Sequence, residues 1–303
     1  MKVSGFSYVR NGFTYAYPFL EAIQSILPVC DEFIMVVGDS TDGTREAIVA
    51  LNDPKIKIVD TIWDENSRKG GYIFSQQANI GLDHCTGNWC FHIQADEVIH
   101  EKDLSNIEKA MLMNLEDPKV EGFLIHFLNF FGDYKHIAIS RRYHNKEIRI
   151  VRNDKNIRSY RDSQGFRRFN EPGNYLNEKG IKLHVKQIDA TVYHYSYVKH
   201  PKDQVKKAVE FGKRWVKNDA SLQSYAEKNK SGYDYTGQID VLKTFDGAHP
   251  SVMQSKINSV DWEFNYDPSK TNMTIKEKLL YLIQILTGKQ LFAYKNYIKI
   301  NGK

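Results

Sequence analysis

Segments of strand length alternate with helical patterns at the start of the chain, and this alternation limits the possible folds more than any other feature. Val3–Val9, Phe33–Val37 and Ile56–Val59 are the strand-like segments, and Phe33–Val37 contains no polar residue. An unbroken apolar run is typical of a strand that is buried on both faces of a sheet. Apolar residues at helical spacing lie between them, in Phe19–Leu27 and Ala47–Leu51. The pattern β-α-β-α-β predicts a parallel sheet with right-handed crossovers, and therefore an α/β fold.

A further strand is predicted at Trp89–Ile93, and it runs directly into the segment Gln94-Ala95-Asp96-Glu97. The carboxyl ends of parallel strands form the edge at which such sheets bind ligands. Two adjacent carboxylates at this edge are either hydrogen-bonded structural acids or oxygen ligands for a hard cation that holds a diphosphate. Asp96 and Glu97 are therefore the centre of the candidate site.

The second half of the chain has a different pattern. Strands are predicted at Phe123–Phe131, Glu147–Arg152, Lys182–Val185 and Thr191–Val198, with few helices between them. This favours a mixed or antiparallel extension of the first sheet. From Pro201 the pattern becomes helical, so we expect two parts: a sheet domain over residues 1–198 and a helical C-terminal extension over residues 199–303. The polar, tyrosine-rich stretch at 221–250 is predicted to form loops.

A final helix is predicted after Thr274-Ile275-Lys276-Glu277, which matches a capping box, with Gly288 as its C-terminal stop. The residues between these signals are apolar nearly all round, and lysines and aromatic residues follow them. Two interpretations remain open for residues 274–300: a helix packed into the fold, or a peripheral contact with a membrane surface.

Composition excludes several classes of protein. The chain has 303 residues, a formal net charge of +5 and three cysteines. No apolar run reaches the roughly 18–20 residues that span a bilayer, and the N-terminus lacks a signal-peptide pattern. The odd number of cysteines, without metal-type spacing, indicates reduced thiols and a cytoplasmic protein, possible membrane contact being limited to the inner face. The mild positive charge suits anionic substrates, and no segment resembles a nucleic-acid-binding module.

Three segments in order carry a family resemblance. Gly38-Asp39-Ser40-Thr41-Asp42-Gly43-Thr44 resembles the "D-G-S-T-D-G-T" turn of family 2 glycosyltransferases, and Gln77-Ala78-Asn79-Ile80-Gly81-Leu82 resembles their "A-R-N-x-G-L" helix. Gln94-Ala95-Asp96-Glu97 resembles their "D-A-D-E" metal motif. The resemblance covers about the first hundred residues well, and it is nearest to the bacterial branch that builds lipopolysaccharide core and other surface glycans. It implies a GT-A fold.

The resemblance also implies a reaction. A sugar would pass from a nucleotide-sugar donor, with a UDP-sugar as the favoured donor, to a carbohydrate or lipid-linked acceptor with inversion at the anomeric carbon. Mn²⁺ or Mg²⁺ would neutralise the diphosphate leaving group, and a carboxylate base near the acceptor hydroxyl would contribute roughly 10²–10⁴-fold. The chain would then be a hexosyltransferase of glycan biosynthesis.

Carried over residue by residue, the resemblance makes Asp39 the acid that recognises the nucleotide base, the alternative being a helix N-cap. Asp96 is the expected metal ligand, and the alternative is a structural acid. Gln94 stands where the family has its first aspartate, and a neutral amide adds no charge. His194 is a second candidate metal ligand, the alternative being a packed histidine in an aromatic strand. The residues expected at the donor are Ser7, Tyr8, Arg10, Asp39, Gln77, Asn79, Gln94 and Asp96.

The general base is the least constrained assignment. Arg149-Ile150-Val151-Arg152 resembles the "R-L-F-R" strand that precedes the acceptor segment in this branch, but no "H-E" pair follows it. Asp162, Glu171 and Glu97 are the candidate catalytic carboxylates, and solvated acids or salt bridges are the alternatives. The arginines that cluster here indicate either an anionic ligand or pairing with acids. They are Arg141, Arg142, Arg149, Arg152, Arg158, Arg161, Arg167 and Arg168.

Two rival functions follow from the same residues. Because Gln94 weakens the metal motif, a non-catalytic protein that binds nucleotide or sugar on the same fold is the first alternative. A nucleotidyltransferase is the second, although Arg10-Asn11-Gly12 is a poor match to the basic glycine-rich loop expected after its first strand. Turnover of a sugar donor distinguishes the leading hypothesis from a binder.

Overall fold

The computed structural model describes residues 1–64, 67, 70–216, 219–288, 290–292 and 294–300. The helices in this part of the chain are α1 Phe19–Ile26, α2 Thr44–Val49, α3 Tyr72–Asp83, α4 Leu104–Met113, α5 Pro201–Gly212, α6 Asp219–Lys228, α7 Gln254–Asn258 and α8 Ile275–Thr287. The strands are β1 Val3–Val9, β2 Glu32–Val37, β3 Ile56–Asp60, β4 Trp89–His92, β5 Glu97–Ile99, β6 Gly122–Phe131, β7 His136–Ala138, β8 Lys146–Arg152, β9 Ile157–Ser159, β10 Phe166–Arg168, β11 Ile181–Tyr197, β12 Leu242–Thr244 and β13 Tyr297–Lys299.

The first part of the chain forms the predicted parallel sheet. Strands β3, β2, β1 and β4 lie side by side in that order, and all neighbours run parallel. Every residue of β2 is buried, as its unbroken apolar run predicts. One apolar core lies beside α1 and α4, and a second lies beside α3 on the other face. The α/β fold class with a mostly parallel central sheet is therefore confirmed.

The sheet then continues as the predicted mixed extension. Strand β8 lies antiparallel between β4 and β6, and β6 pairs in parallel with β11. The prediction of two strands at Lys182–Val185 and Thr191–Val198 is wrong, because both belong to the 17-residue strand β11. A shift of register between Gln187 and Thr191 lets one strand continue through the polar residues that interrupt the apolar pattern.

Strand β8 carries an irregularity that matters for the site. It pairs Ile150 with Phe123 and Ile148 with Leu124, so Arg149 is an extra residue against its neighbour β6. A bulge of this kind changes the direction of a side chain and is common beside binding sites. The bulged Arg149 lines the cavity described below.

The C-terminal part is helical, as predicted, with one difference in detail. Helix α6 occupies Asp219–Lys228, where the polar composition at 221–250 predicts loops. None of its residues is buried, which explains why its apolar periodicity is weak. Helix α8 begins with the predicted capping box at Thr274 and Glu277 and ends at Gly288, whose φ of +67° suits glycine.

Helix α8 also has no buried residue. Its contact with the sheet domain includes a bidentate ion pair from Arg142 to Glu277. Among the described residues, no helix is long and apolar enough to cross a membrane.

Candidate functional site

A cavity of about 720 Å³ lies at the carboxyl ends of β1 and β4, the position that the parallel sheet predicts. Residues of α5 and α6 contribute to its opposite wall, together with the loop that joins β9 to β10. The charged and histidine side chains that line it are Arg10, Asp96, His144, Glu147, Arg149, Asp162, His194, Lys207, Glu210 and Arg214. Tyrosines, Trp63, Phe74 and Phe211 provide most of its aromatic surface.

Asp96 occupies one corner of this cavity and is hydrogen-bonded to the ammonium group of Lys207. Its Oδ2 accepts a hydrogen bond of 3.1 Å from Nζ of Lys207, which lies on α5. Ser196 holds the same ammonium through its hydroxyl, at 2.6 Å, and its carbonyl, at 3.1 Å. Burial alone would raise the pKa of Asp96, but Lys207, His194 and Lys199 outweigh burial and hold that pKa far below its usual range. Asp96 is therefore ionised at neutral pH.

Two ammonium groups flank the ring of Tyr17 beside Asp96. Nζ of Lys199 lies 4.5 Å from the centre of that ring, and Nζ of Lys207 lies 5.0 Å from it. Lys199 also donates to the carbonyl of Tyr15 at 2.7 Å. Burial and then repulsion from Lys207 lower the pKa of Lys199 well below its ordinary value. A bound anion would offset the burial and the repulsion that lower this pKa, so the corner suits an anionic ligand.

His194 faces Asp96 from strand β11. Its Nδ1 is 2.8 Å from Oδ1 of Asn129, and Asn129 donates its amide group to the carbonyl of His144, so Nδ1 of His194 carries the proton. Nε2 is then an acceptor, and it lies 3.7 Å from Oδ1 of Asp96, which is another acceptor. Burial lowers the pKa of His194 despite the nearby Asp96. Two facing acceptors, one fixed by a second hydrogen bond, suit a shared divalent cation.

A metal held here would have two protein ligands. Among the described residues there is no group of three or more histidine, cysteine, aspartate or glutamate side chains with metal-binding geometry. Asp96 Oδ1 and His194 Nε2 can supply two positions, while Lys207 engages the other oxygen of Asp96. Ligand oxygens and water would have to complete the coordination of Mn²⁺ or Mg²⁺. The donor set therefore fits a cation that binds together with a phosphate-bearing ligand.

Glu97, the next residue along the motif, has a different environment. Both of its oxygens accept from Arg149, at 2.8 Å and 2.5 Å, and the Glu97 side chain is 0 % exposed. Its Oε2 also accepts from the backbone N–H of Gln94. Glu97 does not line the cavity. The salt bridge that the sequence left as an alternative is thus present, and it fixes the turn that presents Asp96.

Asp162 lies in the loop between β9 and β10, and this loop is strained. The residues on both sides of it, Arg161 and Ser163, have positive φ values of +56° and +66°. Strain of this kind is costly for residues other than glycine and occurs often at functional sites. Oδ1 of Asp162 is buried and has no hydrogen-bond partner among the described residues. Burial raises the pKa of Asp162.

Glu147 is a second carboxylate of the cavity, and among the described residues it forms no ion pair. It lies on β8, and its Oε2 is buried and lacks a hydrogen-bond partner in the described part of the chain. Burial raises its pKa to about 7, although Arg149 on the same strand opposes the change. Sequence reasoning did not identify Glu147. The available signal was an acidic residue at the start of the strand beside β4.

Arg10 and Asp39 form a polar group at the end of β1. Nε of Arg10 lies 3.0 Å from Oδ1 of Asp39, and the same oxygen accepts from the backbone of Trp63 at 3.2 Å. Asp39 does not line the cavity, whereas Arg10 and Trp63 do. The N-cap of α2 is Gly43, so Asp39 does not have the alternative capping role.

Some of the residues expected at the donor lie behind the cavity wall. Gln77 accepts from the hydroxyl of Thr61 at 2.7 Å, and Asn79 exchanges two hydrogen bonds with the backbone of Ser159. Ser7 is buried, and Glu171 is exposed outside the cavity. The expected residues that line the cavity are Tyr8, Arg10, Gln94, Asp96, Asp162 and His194.

Most of the clustered arginines are paired with acids or carbonyls. Arg158 contacts Asp83, Arg168 contacts Glu121 and Asp154, and Arg152 donates to four backbone carbonyls. Of the eight arginines in the cluster, Arg149 alone lines the cavity. Lys207 and Tyr17 were missed by sequence reasoning, because nothing local distinguishes them from other lysines and tyrosines.

Comparison with known proteins gave matches among solved structures only. No protein-family profile and no curated protein sequence matches the chain. S. aureus TarS (residues 1–349, in complex with UDP) is 16 % identical, covers 75 % of this chain and 70 % of its own, and has a TM-score of 0.38. Mannosyltransferase PcManGT from Pyrobaculum calidifontis, in complex with GDP-Man and Mn²⁺, is 22 % identical, with 40 % and 34 % covered and a TM-score of 0.31.

A third similar structure is glucosyl-3-phosphoglycerate synthase from Mycobacterium tuberculosis in complex with Mn²⁺, UDP and phosphoglyceric acid. It is 18 % identical, covers 43 % of this chain and 43 % of its own, and has a TM-score of 0.30. At these values of identity and TM-score, we transfer no residue role from any of the three proteins.

Proposed function

We propose that this protein is an inverting glycosyltransferase that moves a sugar from a nucleotide-sugar donor to a carbohydrate or lipid-linked acceptor. One observation carries the proposal: Asp96, at the carboxyl edge of a parallel sheet, meets Lys207 and His194 in a cavity large enough for a nucleotide sugar. A diphosphate leaving group needs cationic partners, and this corner contains them. The resemblance of the three sequence motifs to family 2 glycosyltransferases agrees with this assignment.

The cavity wall offers a position for the nucleoside. Trp63, Phe74 and Phe211 form an aromatic surface in which the rings of Phe74 and Phe211 are stacked 5.1 Å apart. Flat rings of this kind can pack against a nucleobase. Arg10 lies 5.7 Å from the centre of the Trp63 ring and is held by Asp39, so Asp39 would act on the base through Arg10 and Trp63. A UDP-sugar remains the favoured donor.

In the reaction, an acceptor hydroxyl attacks the anomeric carbon of the donor while the bond from that carbon to the diphosphate oxygen breaks. The bond electrons leave with the nucleoside diphosphate, and Lys207 lies where it can stabilise the charge that develops there. Asp162 would accept the hydroxyl proton, since it faces the cavity, has a raised pKa and has one oxygen without a hydrogen-bond partner among the described residues. A divalent cation held by Asp96 and His194 would neutralise the diphosphate when bound.

Helix α8 has an exposed apolar face that could contact a membrane carrying a lipid-linked acceptor. Ile275, Leu279, Leu282 and Leu286 recur at helical spacing on one face of α8, and Ile275 and Leu286 are 89 % and 74 % exposed. Exposed Lys276 and Lys278 border this apolar face. Because apolar area with a basic border suits the surface of an anionic bilayer, we include peripheral membrane contact in the proposal. Lys289 and Ala293, within the predicted segment 274–300, lie outside the described residues.

The membrane part can be tested by sedimentation with vesicles. The full chain should sediment with vesicles that contain phosphatidylserine and remain in the supernatant with phosphatidylcholine alone. Leu279→Glu together with Leu286→Glu should abolish sedimentation without unfolding, because both side chains are exposed. Equal recovery of wild type and variant in the supernatant with both vesicle types would remove the membrane contact from the proposal.

The donor site is tested by thermal shift with UDP, GDP, CMP and dTDP, each with and without Mn²⁺. A ligand at 100 times its Kd stabilises a protein by about 2.7 kcal/mol, which is readily measured. We expect one nucleotide to stabilise the wild type, with a dependence on Mn²⁺ that Asp96→Asn removes. Release of that nucleotide from its sugar donor distinguishes a transferase from the non-catalytic binder. If none of the nucleotides shifts the melting temperature, the donor-site proposal is wrong.

We also propose that residues 1–198 form the unit that binds the donor, with residues 199–303 closing it. Cavity residues from α5, such as Lys207 and Glu210, support a closing role for the extension.

A further inference from the structure

Gln94 has no charge, but a carboxylate on the neighbouring strand β8 lies near it. Gln94 is an amide at the carboxyl end of β4, and an amide binds neutral groups but contributes no negative charge. Strand β8 is the antiparallel neighbour of β4, with Trp89 opposite Arg152 and Phe91 opposite Ile150. Strand β4 ends at His92, and beyond it Gln94 and Glu147 both reach the loop that joins β9 to β10. A carboxylate is therefore available beside Gln94 without belonging to its motif.

Contacts with one loop support this placement. Nε2 of Gln94 donates to the carbonyl of Ser163 at 3.5 Å. Two residues further along that loop, Gly165 lies so close to Glu147 that an added Cβ would be 3.0 Å from Oε2 of Glu147. Gln94 and Glu147 thus touch the same short segment, and both line the cavity.

The surroundings of Glu147 leave it available to a ligand. The charged and titratable groups near it are Arg149, Glu97, Asp162 and Tyr297. Arg149, the cation among them, already makes two hydrogen bonds to Glu97. Oε2 of Glu147 is buried and has no hydrogen-bond partner among the described residues. A buried acceptor without a donor loses free energy that a bound hydroxyl would restore.

We propose that Glu147 supplies from β8 the carboxylate that position 94 lacks, and that Glu147 and Gln94 together bind neighbouring hydroxyls of a sugar. The inference rests on the proposed function and adds a binding subsite to it. Hydroxyl groups fit because they donate to Glu147 and can both donate to and accept from Gln94. An anionic group does not fit, because Glu147 and Asp162 would repel it. The hydroxyls belong either to the ribose of the nucleotide or to the transferred sugar.

The test compares Glu147→Gln with wild type by isothermal titration. Four probes distinguish the two sources: UDP, 2′-deoxy-UDP, 3′-deoxy-UDP and UDP-glucose, or the matching set for GDP if GDP is the nucleotide that binds. If the subsite binds the ribose, Glu147→Gln should lower the affinity for UDP about tenfold or more. The affinity for at least one deoxy analogue should fall much less. If it takes the transferred sugar, only UDP-glucose should lose affinity.

A second variant moves the carboxylate between strands. Gln94→Asp combined with Glu147→Gln should recover most of the affinity that Glu147→Gln loses, because a carboxylate returns to the subsite from β4. Glu108→Gln is the matched control: it makes the same chemical change at an exposed residue outside the cavity and should bind every probe like the wild type.

The outcomes separate the inference from the function on which it rests. A wild type that binds neither the nucleotide nor its sugar donor overturns the proposed function. A wild type that binds, while Glu147→Gln binds all four probes as tightly, overturns the inference alone. Equal weakening of all four probes also overturns it, since the loss would then not depend on any hydroxyl.

Discussion

Asp96 and Glu147 are carboxylates of one cavity, and their surroundings are opposite. Lys207 donates to Asp96, and His194 and Lys199 lie nearby, so the pKa of Asp96 is far below its usual range. One oxygen of Glu147 is buried without a hydrogen-bond partner among the described residues, and burial raises the pKa of Glu147 to about 7, although Arg149, which is bound to Glu97, opposes the change. Burial acts in the same direction on both groups, so the difference comes from the neighbouring charges.

The contrast indicates what each corner can bind. Asp96 keeps its charge at physiological pH, so Asp96 and the facing acceptor of His194 suit a divalent metal, and the ammonium of Lys207 beside them suits a diphosphate. Glu147 can gain or lose its proton near neutral pH, which suits hydrogen bonds with neutral hydroxyls. The cation that decides the matter for Asp96 is 111 residues away in sequence. A carboxylate's role at this sheet edge therefore depends on which distant element packs against it.

Glu97 allows the most direct test of what decides the role of a carboxylate here: its position in the sequence motif or the ion pair that it forms. We expect Glu97→Gln to destabilise the protein by about 3–5 kcal/mol, because it leaves Arg149 buried without its counter-charge. Chemical denaturation would measure the change in the free energy of unfolding. The double change Glu97→Gln with Arg149→Met should recover part of the loss. A small effect of Glu97→Gln would mean that the pair is not structural.

Asp96→Asn should have the complementary effect. It should lower the rate of sugar transfer by about 10²–10³-fold, since the cationic corner loses the group that organises it. The free energy of unfolding should change less than in Glu97→Gln, because Ser196 still holds the ammonium of Lys207. Steady-state assays and denaturation of both variants make the comparison. If Asp96→Asn keeps full activity, the acid is not part of the reaction site.

Lys207→Met should destabilise the protein less than Glu97→Gln does. Asp96 would lose a hydrogen-bonding cation while buried, at a cost of about 1–3 kcal/mol. Each kcal/mol lowers the melting temperature by about 2–4 °C in a protein somewhat smaller than this one. Lys206→Met is a matched control, since Lys206 is exposed and its ion pair is with Asp203 on its own helix. Similar melting temperatures for the two variants would contradict the role given to Lys207.

Sequence reasoning predicted the parts of this cavity that depend on local patterns. Strand β1 and the buried run of β2 were predicted from residue type alone, and the capping box of α8 was predicted from its spacing. These features are local, because strand burial and helix caps involve residues close in sequence. Asp96 and His194 also lie at the cavity that the α/β pattern places at the carboxyl ends of the strands.

The rest depends on contacts between distant segments. Glu97 and Asp96 are adjacent and chemically alike, yet one is sealed by Arg149 and the other opens on the cavity. The bulge that directs Arg149 arises from pairing between β8 and β6, which no local pattern reveals. Lys207 reaches Asp96 only because α5 packs over the sheet edge. Strand β11 was divided in two because its polar middle resembles a loop until a neighbouring strand pairs with it.

The pH dependence of stability gives the smallest expected effect and tests the Glu147 corner directly. The folded pKa of Glu147 is raised from 4.5 to about 7, so the folded protein binds more protons than the unfolded chain between these values. The stability that this proton contributes is complete below about pH 4.5 and is lost as the pH rises to about 7.

Glu147→Gln removes the titrating group and should leave the melting temperature nearly unchanged at pH 5. At pH 8 the variant should be more stable than wild type by about 1–2 kcal/mol, since the cavity screens part of the buried charge. Glu171→Gln should show no such difference between the two pH values. If Glu147→Gln changes the melting temperature equally at pH 5 and pH 8, Glu147 is ionised at both pH values. The contrast between the pKa values of Asp96 and Glu147 is then wrong.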